Sequence, residues 1–166
     1  MKRHAIETLV KWKESSRRKP MIIEGARQVG KTWLVKEFAA THYKNIAYVN
    51  FEEQVFMRTL FSTDYDTDRI INAISAATHI NIVPGETLIF LDEIQEAENG
   101  ITALKYFNEN AREQHVIAAG SLLGIELHRH TSFPVGKVQF MTLHPMSFFE
   151  FLDAMGEDRL TEIIRN

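Results

Sequence analysis

Eight residues constrain this chain more than any others: Gly25-Ala26-Arg27-Gln28-Val29-Gly30-Lys31-Thr32, a match to G-x-x-x-x-G-K-[ST]. Glycines at both ends let the backbone turn tightly, so that the N–H groups of the loop converge on one concavity suited to phosphate oxygens. A helix beginning near Lys31 adds the positive end of its dipole. On this reading every residue from Gly25 to Thr32 contacts the nucleotide, Arg27 through its backbone. Lys31 reaches the β- and γ-phosphates and belongs to the catalytic set, and the Thr32 hydroxyl ligates magnesium. The flanks have the form the motif requires. Met21-Ile22-Ile23-Glu24 reads as a short buried strand, and Thr32 to Thr41 reads as a helix with Leu34, Val35 and Phe38 inward.

A phosphate loop needs a carboxylate for its metal. Thr87-Leu88-Ile89-Phe90-Leu91 is the strongest strand pattern in the chain, and Asp92-Glu93 follows where it runs out. Asp92 therefore falls at the carboxyl edge of a sheet, where ligands of open α/β sheets bind, and is the second metal residue beside Thr32. Glu93 is placed to polarise a water toward the γ-phosphate, which points to hydrolysis. The competing reading is a solvated acidic pair at a strand end. His115-Val116-Ile117-Ala118-Ala119 is another buried strand, ended by Gly120-Ser121. Ser121, the third catalytic candidate, either hydrogen-bonds the attacking water or γ-phosphate or serves as a helix cap or turn serine.

The remaining pattern alternates strands with helices. Residues 4–15 read as an amphipathic helix, Asn45–Asn50 as a strand, and residues 51–80 as mainly helical. Leu104, Phe107 and Ala111 mark a helix, and Lys137 to Leu143 a further strand. The fold expected is α/β: a three-layer P-loop NTPase with a parallel sheet of about five strands. The chain divides into a helix and connector (1–20), a P-loop ATPase core (21–145) and the start of a truncated C-terminal region (146–166). Phe148, Phe149, Phe151, Leu152 and Met155 predict a helix apolar on more than one face, which expects a cover from a following domain or a partner.

Composition excludes several classes. A net charge of −3 gives no electrostatic footprint for nucleic acid. The N-terminus lacks the apolar core of a signal peptide, and no stretch reaches the length of a membrane span. The absence of cysteine removes disulfides and thiolate metal sites and is compatible with the cytoplasm. His128 and His130 are spaced so that a helix would point them apart, and no H-E-x-x-H accompanies them. Ser121, His128 and Asp153 form no hydrolase triad, because no nucleophile elbow is present. A guanine-reading Asn/Thr-Lys-x-Asp segment is missing, which favours ATP.

With these residues in hand, the chain resembles the AAA-type domain of a group of prokaryotic ATP-binding proteins. The resemblance is carried by residues 19–32, Asn50-Phe51-Glu52-Glu53, Phe90-Leu91-Asp92-Glu93-Ile94-Gln95, Gly120-Ser121, and Leu143-His144-Pro145-Met146-Ser147-Phe148-Phe149-Glu150-Phe151-Leu152. It implies a catalytic glutamate at Glu93, a magnesium aspartate at Asp92 and a sensor at Ser121. It also implies a C-terminal domain of unknown function as partner, with a homo-oligomer as a further expectation. ATP is then the substrate, Mg2+ the cofactor, and hydrolysis drives a conformational change in the partner domain. Family members often carry Gly-Arg before the last strand, whereas this chain has Gly136-Lys137, and lysine lacks the planar fork of an arginine finger. Two other readings stand beside the ATPase: a slow nucleotide-dependent switch, and a P-loop phosphotransferase.

Overall fold

A computed structural model describes residues 5–121, 136–146 and 150. Its centre is a sheet of five strands: β1 (Met21–Glu24), β2 (Asn45–Asn50), β3 (Thr87–Asp92), β4 (His115–Gly120) and β5 (Gln139–Thr142). Their spatial order is β2-β3-β4-β1-β5, and every neighbouring pair is parallel. Four helices, α1 (Ala5–Glu14), α2 (Lys31–His42), α3 (Thr67–Thr78) and α4 (Gly100–Asn110), cover both faces. The architecture is the three-layer α/β P-loop fold expected from the sequence.

Strand periodicity sorts side chains between two cores. Ile22, Ile89, Leu91, Val116 and Ala118 face α3 and α4, where Ile70, Ile74, Leu104 and Phe107 meet them. Their neighbours Met21, Ile23, Leu88, Phe90, Ile117 and Ala119 face α1 and α2, against Leu9, Trp12, Leu34, Val35 and Phe38. Burial on both faces explains why β3 and β4 are near-continuous apolar runs. Full burial of a side chain such as Phe38 or Phe90 contributes about 1.5–3 kcal/mol.

The helix expected over residues 51–80 is shorter. Only Thr67–Thr78 is α-helical, started by Asp66, whose side chain accepts from the N–H groups of Asp68 and Arg69. The stretch before it holds a 3-10 turn at Val55–Met57. Side chains there bond the backbone in place of a helical ladder: Asn50 Oδ1 accepts from the N–H groups of Glu52 and Glu53, and Arg58 Nε donates to the Phe51 carbonyl at 2.7 Å. Phe51, Met57, Leu60 and Phe61 fill the core beneath these turns. The apolar helix expected around Phe148–Met155 lies outside the described residues, Glu150 apart, as do His128, His130 and Asp153.

Candidate active site

The parallel register brings strand ends into line at one edge. Asn50 pairs with Asp92, Asp92 with Ala119, and Glu24 with both Gly120 and Thr142. The loop after β1, the Asp92-Glu93 pair and Ser121 therefore emerge from the same carboxyl edge, as expected for a ligand site in an open α/β sheet.

The 25–32 loop is shaped by its backbone. Gln28 (φ 64°) and Gly30 (φ 92°) are left-handed, and α2 opens at Lys31 directly after them. Gly25 has a different reason to be glycine. A Cβ there would sit 2.4 Å from the Leu143 carbonyl oxygen, because the chain leaving β5 crosses beside the loop. Lys31 is buried, and its ammonium donates to the carbonyls of Gly25 and Ala26 at 2.8 and 2.7 Å. Two of its three donors thus bind the loop itself. Burial pulls the Lys31 pKa below the usual lysine value, while the charges of Glu93 and Asp92 oppose that shift.

Asp92 is 2% exposed. The Thr32 hydroxyl donates to Asp92 Oδ2 at 2.7 Å, so the two metal candidates of the sequence reading are in contact. Burial pushes the Asp92 pKa above the usual aspartate value. The donations from Thr32 and Tyr48 counter this, and the charge of Glu93 adds to it. Tyr48 had no role in the sequence reading. Its hydroxyl donates to Asp92 Oδ2 at 3.1 Å and accepts from Asn50 Nδ2 at 3.3 Å. Lys36 Nζ lies 3.9 Å from the centre of the Tyr48 ring. Burial pushes the Tyr48 phenol up to about 12, which keeps it a proton donor toward Asp92.

Glu93 stands in a left-handed backbone conformation, φ 51° and ψ 48°, between β3 and a 3-10 turn at Ile94–Glu96. Its N–H donates to Asp92 Oδ1 at 3.1 Å, and its Oε2 accepts from Gln95 Nε2. Gln95 thus orients the Glu93 carboxylate, a second role unseen in the sequence. Ser121 has its Oγ buried with no hydrogen-bond partner among the described residues. A cleft of about 310 Å3 opens over the loop and is lined by Arg27, Lys31, Thr32, Trp33, Glu52 and Glu93, among others. Arg27 is exposed and is among the residues that line this cleft. Lys137 lies before β5, at the opposite edge of the sheet, and pairs with Glu109 at 3.2 Å.

Chemically, the edge joins a cationic loop at a helix N-terminus to hard oxygen donors and a held carboxylate. Thr32 Oγ1 and Asp92 Oδ2 suit a small divalent cation that retains part of its water. No helix among the described residues is long and apolar enough to cross a membrane.

Comparison with known proteins agrees with this fold. A family model described as an AAA domain matches residues 17–152. No curated protein sequence matches the chain. Among solved structures, the Orc1 protein of Aeropyrum pernix, in complex with DNA, aligns with a TM-score of 0.53 at 13% identity. The alignment covers 93% of this chain and 47% of that one, so the chain spans about half the length of the structure it matches.

Proposed function

The chain belongs to the AAA domain family, and from that premise we propose that this ATP-binding P-loop domain hydrolyses ATP, with magnesium, to move a partner domain. The observation that carries the chemistry is the 2.7 Å contact of buried Asp92 with Thr32, which lines one cleft together with Glu93. The backbone from Gly25 to Thr32 would cradle the phosphates, and the Lys31 ammonium would neutralise the β- and γ-phosphate oxygens. Thr32 and Asp92 would hold Mg2+, which supplies charge neutralisation on the phosphates when bound. Glu93, oriented by Gln95, would accept a hydrogen bond from the attacking water and polarise it. The Ser121 hydroxyl, without a partner among the described residues, would donate to that water or to the γ-phosphate.

The remaining assignments rest on the family. A segment beyond residue 145 would be the moved partner, further copies of the chain would complete an oligomer, and the setting would be cytoplasmic. Phosphate release by the parent and Glu93→Gln tests the reading. The amide keeps the shape and removes the charge, so MgATP should bind as in the parent or tighter while turnover falls about 10²–10⁴-fold. Equal turnover would remove the ATPase reading.

One observation favours the slow switch as a second reading. Lys137 stands where relatives often carry arginine, and its ammonium pairs with Glu109. An absent arginine finger lowers turnover by about 10³–10⁵. The same assay separates the two: ATP bound and left intact by the parent identifies the switch.

A further inference from the structure

The site described so far accounts for phosphates and metal, and leaves the base of the nucleotide without a partner. Purine rings are flat and apolar on both faces, so a site that holds them needs an apolar or aromatic surface near the phosphate loop. The cleft offers little of that kind. Arg27, Gln28, Lys31, Thr32, Glu52 and Glu93 are polar or charged, Gly30 has no side chain, and Trp33 alone among its described lining residues presents an apolar face.

Trp33 is also unusual for its type. It sits in the first turn of α2, directly after Thr32, and is 36% exposed, whereas Leu34, Val35 and Phe38 of the same helix are fully buried. The other tryptophan, Trp12, is 3% exposed and donates its indole N–H to the Lys19 carbonyl at 2.7 Å. Packing therefore explains Trp12 and not Trp33. An exposed indole is a poor choice on a solvated helix face, and a good one where a flat ring must be stacked.

We propose that Trp33 is the base-contacting residue of this cleft, stacking on the nucleobase and favouring purine over pyrimidine triphosphates. The proposal rests on the nucleotide reading given above and adds the recognition of the nucleoside half. Preference for purines follows from the larger ring area a two-ring base lays on the indole.

The test is calorimetric titration of parent, Trp33→Ala and Trp33→Phe with ATP, CTP and inorganic tripolyphosphate, each with Mg2+. Tripolyphosphate carries the phosphate charge without a base. Trp33→Ala should weaken ATP by about five- to a hundredfold, the usual worth of a base–aromatic stack. It should leave tripolyphosphate affinity within twofold of the parent and shrink the preference for ATP over CTP. Trp33→Phe should recover most of the ATP affinity. ATP should also change the tryptophan emission of the parent, and that change should vanish in Trp33→Phe, because Trp12 is buried away from the cleft. Unchanged ATP affinity in Trp33→Ala, or equal losses for ATP and tripolyphosphate, overturns the base contact while the phosphate loop stands. Failure of the parent to bind either ATP or tripolyphosphate overturns the nucleotide reading itself, and the base contact with it.

Discussion

The Thr32 hydroxyl donates a 2.7 Å hydrogen bond to the Asp92 carboxylate, joining residues sixty positions apart at one end of the sheet. Tyr48 donates to the same oxygen from the edge strand. These two donors and the Glu93 N–H hold the rotamer of the buried carboxylate and favour its charged form against burial. Asp92→Asn should keep the shape and lose the charge, raising the Mg2+ concentration for half-maximal ATP binding by roughly tenfold, the gap between charged and neutral hydrogen bonds. Tyr48→Phe should shift that concentration less and cost about 1–2 kcal/mol of stability, because Asn50 Nδ2 also loses its acceptor. Magnesium titrations at fixed ATP, with chemical melts alongside, separate the two variants. Identical magnesium curves for parent and Asp92→Asn would remove Asp92 from the metal site.

Lys31 is held by two carbonyls of its own loop, so its ammonium is already oriented. Lys31→Ala should lower ATP affinity by about ten- to a hundredfold, since a charge-assisted bond contributes about 1.5–3 kcal/mol. Calorimetry reads the change directly. Affinity equal to the parent would defeat the phosphate-loop assignment.

The two motif glycines should fail differently. Gly30 has left-handed backbone and open space where a Cβ would go. Gly30→Ala should therefore cost about 1 kcal/mol, or roughly 2–4 °C in Tm. Gly25→Ala places a methyl 2.4 Å from a backbone oxygen that no rotamer change can move. It should lower the Tm by more, and it should displace Leu143 or the loop and so weaken ATP binding. Equal melts for the two variants would contradict the close approach of Leu143.

His115 opens β4 and shares a 2.7 Å hydrogen bond with the Tyr43 hydroxyl. Trp12 and Tyr43 meet its ring edge-on. Burial pushes its pKa down to about 4, with the charges of Arg18 and Lys13 acting in the same direction. The unfolded chain binds this proton near pH 6.5, so between about 6.5 and 4 the unfolded state carries more protons and stability falls as pH falls. The stabilisation, on the order of 3 kcal/mol, is complete above pH 6.5 and lost on acidification through that window. Denaturant melts from pH 7 to 4.5 should show this slope, and His115→Gln should flatten it. An unchanged slope in the variant would assign the acid loss to other groups.

The parts of the site that follow from local pattern were legible in the sequence. A strand running out at Asp92 and a loop closing on a helix at Lys31 are local features, and the parallel sheet then brings their ends together. Tyr48 was not legible. It reads as an ordinary strand residue until the β2–β3 register puts Asn50 opposite Asp92 and brings the phenol within reach. Gln95 and Trp33 are similar cases: Gln95 gains its meaning from the left-handed turn at Glu93 that brings the two side chains together, and Trp33 from its place on the cleft. The segment 51–66 misled for another reason: its buried aromatics suggest a helix, while Asn50, Arg58 and Asp64 bond the backbone in competition with one.

Glu93 occupies backbone that glycine adopts most easily, at a cost of about 1 kcal/mol for a side chain with a Cβ. The position therefore sets durability against chemistry. Glu93→Gly should leave the fold as stable as the parent, or up to about 1 kcal/mol more so, while removing the carboxylate proposed to polarise water. Selection for thermal robustness alone would erode this residue, and only a requirement for its carboxylate would retain it. A variant that gains melting temperature as it loses turnover would mark Glu93 as a place where the protein accepts a weaker backbone for the sake of its reaction.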